Sequence, residues 1–263
     1  MPEGHTVHRI ANRFNSDFAG HPVHVTSPQG RFRAGAALID GKRLEKALAV
    51  GKQLFLFFDG DLVLRIHLGI YGKWQFHEAT SSPQIIGEVR ARFAGNLAIA
   101  DLRGPTVCEV LQVGEIDAVM NRLGPDPLNP DKSGRDRFVD KVLESSRSIG
   151  ALLMDQSVIS GIGNVYRAEI LFRGGISPHT VGSRLDEPAL RAMWADAERL
   201  LKVGVQLGVM VTRDEFLKAD PGKAERYFVY KRENTPCRNC GGSIRLEIMN
   251  GRKLYWCPVC QVR

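Results

Sequence analysis

The sequence predicts an α+β chain: a short leading helix, a β-rich region, a helical region and a terminal cysteine ribbon. Three observations carry that prediction. Apolar residues fall at helical spacing in residues 6–18, turn-flanked strand patterns repeat between about 22 and 112, and two Cys-x-x-Cys pairs follow a run of helical patterns.

The chain has 263 residues, 43% hydrophobic and 25% charged, which is ordinary globular composition. Its net charge is +7, which points to a polyanionic partner, nucleic acid or an anionic membrane surface. No run of eighteen apolar residues occurs, so no transmembrane helix is expected. The start Met1-Pro2-Glu3-Gly4-His5-Thr6 lacks the basic-then-apolar pattern of a secretory signal, and a cytoplasmic protein is expected.

In chain order, Val7, Ile10, Ala11, Phe14 and Phe18 define the leading helix, and Gly20 ends it. Gln53–Phe58 and Leu62–Leu68 flank Asp59-Gly60, a hairpin signal, and Arg90–Phe93 and Leu97–Ile99 flank Ala94-Gly95-Asn96 in the same manner. Such repeated short strands predict an antiparallel sandwich or barrel. Gly124-Pro125-Asp126-Pro127-Leu128-Asn129-Pro130 reads as a Pro-rich linker. Helical patterns follow at about 134–145, 148–156, 163–173 and 186–206, and residues 223–263 read as a separate unit of turns and short strands. Cys108, in the apolar run 107–110, is expected to be a buried small hydrophobe.

Cys237-x2-Cys240 is followed sixteen residues later by Cys257-x2-Cys260. Two such knuckles converge four thiolates on one tetrahedral Zn²⁺, and four cysteine ligands leave no open coordination position, so the metal is expected to be structural. Between the knuckles, Asn250-Gly251 predicts a type I′ hairpin that places Arg252 and Lys253 just after its tip. From Gly222 onward there are nine Lys/Arg against three Glu. An Arg on a stapled basic hairpin suits a phosphate clamp; the residues alone leave that reading level with an Arg on a solvated turn.

Leu152–Glu169 reads as helix, two tight turns, helix, with Gly161 and Gly163 just before Asn164 at the second helix's start. Helix N-termini attract anions, and the Asn side chain adds a donor; an ordinary Asn cap is the competing reading. No Lys-Ser/Thr follows, so a nucleotide-binding loop is not expected. At the other end of the chain, Met1 precedes a small residue, which permits its removal. Pro2 would then be a secondary amine able to attack a sugar C1′, with Glu3 beside it as a general acid/base. Two residues alone do not establish that chemistry.

Taken together, Pro2-Glu3-Gly4, Gly51-Lys52, His67-Leu68-Gly69-Ile70-Tyr71-Gly72, Leu123-Gly124-Pro125-Asp126, Leu153–Glu169 and Cys257-Pro258-Val259-Cys260-Gln261 resemble the formamidopyrimidine-DNA glycosylase/endonuclease VIII family, in order and across nearly the whole chain. The resemblance implies a bilobal α+β fold. It would comprise an N-terminal catalytic β-sandwich with a leading helix (1–114), a helix–two-turn–helix DNA-binding domain (115–222) and a zinc ribbon (223–263), with DNA across the cleft between lobes. It implies a monomeric base-excision-repair enzyme acting on damaged DNA at the nucleoid, both glycosylase and AP lyase. Pro2 would be the nucleophile and Glu3 the acid/base. Lys52, Asn164 and Arg252 would grip the backbone at the lesion, with Lys52 and Arg252 serving catalysis. Ile70 and Tyr71 would fill the space left by an everted base. Cys237, Cys240, Cys257 and Cys260 would hold one zinc.

Three departures bear on the lesion. Thr6 stands where the family often has Glu. Gly69 stands where endonuclease VIII has Gln, removing one gap filler. Asp101-Leu102-Arg103-Gly104-Pro105 lacks the Phe of the purine-directed branch's Arg-Arg-Phe wedge. Oxidised pyrimidines are therefore expected over 8-oxoguanine, which remains the alternative. A non-catalytic damaged-DNA-binding module on the same scaffold and a zinc-ribbon RNA- or ribosome-associated protein are the readings from other classes.

Overall fold

A computed structural model describes residues 2–81, 83–129, 131–218, 221–223 and 225–262. The chain divides into two compact units, Met1–Asn121 and Arg122–Arg263.

The first unit is built on two four-stranded antiparallel sheets and a leading helix. Helix α1 (Gly4–Asp17) is followed by β1 (His24–Thr26), α2 (Arg33–Ile39), β2 (Leu44–Val50), β3 (Gln53–Phe58), β4 (Leu62–His67), β5 (Lys73–Glu78), β6 (Ala91–Ala94), β7 (Ala98–Arg103), β8 (Val107–Gln112) and α3 (Ile116–Met120). One sheet has the order β2-β3-β4-β8 and the other β1-β6-β7-β5. Both expected hairpins form, β3/β4 and β6/β7. The short helix α2 interrupts the region read as strands alone. Its Ala-rich run Ala34–Ala37 has high helix propensity but is too short to show a period.

Apolar residues of both sheets and α1 share one core, in which Phe14 and Phe18, at the end of α1, are buried. Phe14 meets Trp74, Phe76 and Phe93 edge-on at 4.9, 5.6 and 5.8 Å between ring centroids. The helix is also pinned by polar contacts: the Asn15 amide donates to the Ala47 carbonyl (2.9 Å) and accepts from the Ala47 N–H (2.7 Å). Cys108 lies at the margin of this core and is half-buried rather than fully buried, because β8 is an edge strand. Burial still pushes its thiol up to about 12, so it remains protonated.

The second unit holds α4 (Gly134–Leu143), α5 (Ile149–Leu152), α6 (Asn164–Arg173), α7 (Glu187–Leu207) and the hairpin β9 (Arg245–Met249)/β10 (Arg252–Trp256). The pattern at 148–156 yields only α5. Beyond it the Asp155 carboxylate takes the Ser157 N–H (3.0 Å) and hydroxyl (2.7 Å) and turns the chain. Helix α7 starts where the Asp186 carboxylate caps the Ala189 N–H at 2.7 Å and ends at Gly208, whose φ is +73°.

Two expectations are corrected here. Residues 124–127, read as part of a Pro-rich linker, are buried against the second unit's own turns. The Gly124 N–H donates to the Gln156 carbonyl (2.7 Å), and the Pro125 carbonyl accepts from the Ser160 N–H (2.9 Å). A Cβ at Gly124 would sit 2.6 Å from the Ser157 carbonyl oxygen. The ribbon, in turn, is not a separate body. Ala168 and Phe172 of α6 share a core with Val229, Ile244, Tyr255 and the cysteines. The wholly buried Glu169 carboxylate of α6 accepts from Thr212 Oγ1 (2.6 Å) and from the backbone N–H groups of Phe228, Val229 and Tyr230 (2.8 Å each).

Candidate functional site

The first unit gathers its chemistry at one end of the β2-β3-β4-β8 sheet. The β2–β3 turn carries Gly51, whose φ of +58° makes the turn possible, and Lys52. Register places Gln53 opposite His67, and His67 opposite Val107, so the β2–β3 turn, the end of β4 and the start of β8 lie together. Helix α1 runs antiparallel to β2, since the Gly20 N–H meets the Leu44 carbonyl while Asn15 meets Ala47. From Asn15 back to Glu3 the helix rises about 18 Å, at roughly 1.5 Å per residue. From Ala47 to Val50 the strand advances about 10 Å, at roughly 3.3 Å per residue, before the Gly51-Lys52 turn reverses the chain. The helix start therefore reaches the end of the sheet at which the β2–β3 turn carries Lys52.

At that helix start, Pro2 is half-buried and Glu3 is 0% exposed. Glu3 is the N-cap, in extended conformation, and its carbonyl accepts from the Thr6 N–H at 2.9 Å. His5 is buried behind it, with Nε2 3.1 Å from the Thr6 hydroxyl. Thr6, where the family often has Glu, is thus turned to its neighbour His5.

Past the end of β4, Gly69 takes φ +65° and the Gly72 N–H closes a tight turn on the Leu68 carbonyl at 2.9 Å. This turn holds Ile70 and Tyr71 outward, 53% and 86% exposed, side by side and free to meet an apolar surface. His67 is a residue the sequence reading left without a role. Burial lowers its pKa, and the positive charges of Lys52 and Arg65 act in the same direction. The signal was present as a His two residues before a Gly turn, but only the sheet register brings it beside Lys52.

The second unit assembles a basic surface from α6 and the β9/β10 tip. Asn250 and Gly251 have φ of +49° and +72°, as a type I′ turn requires. Arg252 is exposed and, with Arg147, Asp155, Arg167 and Asn250, lines a pocket of about 210 Å³. Asn164 is 7% exposed and serves a different purpose from a simple outward donor. Its Nδ2 donates to the Lys253 carbonyl at 2.7 Å, and its Oδ1 accepts from the buried Arg167 guanidinium at 2.7 Å. Arg167 donates to the same Lys253 carbonyl at 3.0 Å. Asn164 and Arg167 therefore fix the strand that presents Arg252.

The four ribbon sulfurs all lie within 4.8 Å of one another, with Cys237–Cys260 at 3.8 Å and Cys240–Cys257 at 3.5 Å. A zinc–sulfur bond of about 2.3 Å in a tetrahedron requires sulfurs ~3.8 Å apart, so the cluster fits the ion. Cys237, Cys240, Cys257 and Cys260 hold one structural zinc.

Comparison with known proteins agrees with this geometry. Residues 1–108 match the formamidopyrimidine-DNA glycosylase N-terminal domain, residues 123–215 the formamidopyrimidine-DNA glycosylase H2TH domain, and residues 235–262 the zinc finger found in FPG and IleRS. The chain is 46% identical to Endonuclease 8 1 of Mycobacterium tuberculosis (strain ATCC 25618 / H37Rv), covering 99% of this chain and 100% of that protein. It is 29% identical to the formamidopyrimidine-DNA glycosylase of Nocardia farcinica (strain IFM 10152), over 100% of this chain and 99% of the relative. In three dimensions it resembles MutM in complex with DNA containing carbocyclic 8-oxo-G, with a TM-score of 0.84 at 20% identity over the full length of both chains. MutM (Fpg) from Thermus thermophilus gives 0.80 at 26% identity over 99% of this chain and 98% of that one. The chain belongs to the formamidopyrimidine-DNA glycosylase/endonuclease VIII family of base-excision-repair DNA glycosylases with AP-lyase activity.

Proposed function

We propose that this enzyme excises oxidised bases, pyrimidines in preference to 8-oxoguanine, through a Schiff base on Pro2. The observation that carries the reading is the helix start: a half-buried Pro2 next to a fully buried Glu3, at the sheet end whose β2–β3 turn carries Lys52. With Met1 removed, the Pro2 nitrogen attacks C1′ and the base departs with the glycosidic electron pair. Glu3 protonates O4′ as the C1′–O4′ bond opens, leaving an iminium at C1′. Loss of a C2′ proton then expels the 3′ phosphate by β-elimination, and water releases the sugar fragment and regenerates the amine. Lys52 with His67, and Arg252 held by Asn164, are the contacts to backbone phosphates. Ile70 and Tyr71 occupy the gap left by the everted base. We assign residues 1–114, 115–222 and 223–263 to catalysis, the helix–two-turn–helix and the ribbon. The enzyme acts as a monomer on nucleoid DNA in the cytoplasm.

Borohydride reduction on abasic-site DNA tests the chemistry. The crosslink is expected on Pro2 by peptide mapping; an adduct on Lys52 overturns the assignment.

The lesion preference rests on the β7–β8 connection. Asp101 is wholly buried and paired bidentately with Arg92 at 2.7 and 2.9 Å, and Arg103 donates to the Ile86 carbonyl at 2.7 Å. Only Gly104, Pro105 and Thr106 remain between the strands, too few for an opposite-strand wedge. Single-turnover excision of 5-hydroxyuracil should outpace that of 8-oxoguanine opposite cytosine; the reverse order moves the enzyme to the purine-directed branch.

A further inference from the structure

The short β7–β8 connection does something besides omit a wedge. The exposed Thr106 sits against the turn that follows β4. Its hydroxyl lies 3.0 Å from the His67 carbonyl and 2.9 Å from His67 Nδ1, and its N–H donates to the same carbonyl at 2.9 Å. The Gly69 N–H donates to His67 Nδ1 at 3.2 Å. A backbone N–H can only donate, so Nδ1 must offer its lone pair. With Nδ1 bare, the Thr106 hydroxyl at 2.9 Å turns its proton to Nδ1, since two lone pairs would otherwise face each other, and the His67 carbonyl keeps the Thr106 N–H. A proton on Nδ1 would face the Gly69 N–H directly and cost that bond. An imidazole with Nδ1 bare carries its proton on Nε2, at the opposite edge of the ring.

The geometry points to Thr106 as a positioning residue. With the Gly69 N–H it holds His67 as the neutral Nε2–H tautomer, so that a donor meets the DNA phosphate beside Lys52. The inference rests on the reading that this sheet end takes DNA. A neutral donor suits a place already facing the Lys52 charge, since it adds a hydrogen bond to phosphate without a second buried cation. The same contact accounts for Gly69. A Cβ there would lie 2.4 Å from Thr106 Cγ2, so a Gln gap filler at position 69 and a Thr106 clamp exclude each other. This chain has the clamp.

The test has two parts. In free protein labelled with ¹⁵N-histidine, the long-range ¹H–¹⁵N spectrum should show His67 protonated at Nε2 at neutral pH; a proton on Nδ1 overturns the inference. In the AP-lyase reaction on abasic DNA, Thr106→Val should raise KM about five- to tenfold with kcat within about twofold, as loss of one oriented hydrogen bond predicts, and Thr106→Ser should restore KM. In a His67→Ala background, Thr106→Val should add nothing, because it acts through His67; additive losses overturn the inference in favour of a purely structural role. Wild-type protein inactive on abasic DNA would fell the functional reading instead, and the tautomer would still be decided by the spectrum.

Discussion

His5 lies two positions after the buried Glu3, and burial, with nearby positive charges including His8 and Arg9, lowers its pKa to about 3. The folded state therefore holds a neutral imidazole, whereas the unfolded chain protonates near 6.5. Because the unfolded state binds more protons, stability is complete above about pH 6.5 and is lost as pH falls from there toward about 3. Between pH 7.5 and 5.5 this group alone should cost about 1.4 kcal/mol. Urea unfolding of the wild type and His5→Gln across that range checks it: the variant's stability should be flatter by that amount, whatever its absolute level. Parallel curves would mean that His5 is not the group titrating. The sequence displayed His5 beside Pro2-Glu3 but not its burial, which arises only once α1 is laid on the sheets. Cys108 failed in the opposite sense, since an apolar run looks the same on a central strand and on an edge.

At the scale of elements, the ribbon's hairpin was legible because Asn-Gly dictates one backbone geometry, and the cysteines because their spacing dictates one ligand set. What joins the ribbon to α6 was not legible: Glu169 reads as an ordinary helical Glu until its four donors, 43 to 61 residues away in sequence, arrive. In Glu169→Gln, one oxygen can still serve Val229 and Tyr230, but the new amide N–H₂ faces the Phe228 N–H, donor against donor. The variant should lose roughly 2–4 kcal/mol of stability. Equilibrium denaturation reads this directly, and a change under about 0.5 kcal/mol would show that the clamp is dispensable. Arg252 belongs to the same assembly but is exposed, so its removal should spare the fold. Arg252→Ala is expected to retain zinc, to weaken DNA binding by about 1.5–3 kcal/mol, and to lower the salt slope of binding by about one. An unchanged slope would return Arg252 to the role of a solvated turn residue.

For the whole molecule, the α+β class and the order of its parts were readable because periodicity, turn chemistry and cysteine spacing are local signals. Which residues converge at the sheet end was not, because Lys52, His67 and Thr106 meet only through strand register. The Pro-rich stretch marked the neighbourhood of the division into two units, but its packing against residues 156–160 was not legible. That packing has a consequence for metal loss. The first unit's core runs from Val7 to Val110, so none of its members depends on the ribbon. The ribbon core, by contrast, contains Cys237 and Cys257 themselves beside Ala168 and Phe172 of α6. Removing zinc takes away the ligand bonds that organise 237–260 and lets the sulfurs take up protons as separate thiols, and metal binding in such sites is folding energy. The loss should spread through Glu169 into α6 and stop there. After chelation, or in Cys240→Ser, amide hydrogen exchange is expected to quicken across β9, β10, 228–230 and α6, while β2, β3 and β4 keep their protection. DNA affinity should fall with it, because Arg252 and its Asn164 support lie inside the loosened region. Uniform deprotection of both units would show that the chain unfolds as one cooperative body, and unchanged exchange in α6 would show that the ribbon core ends at the metal.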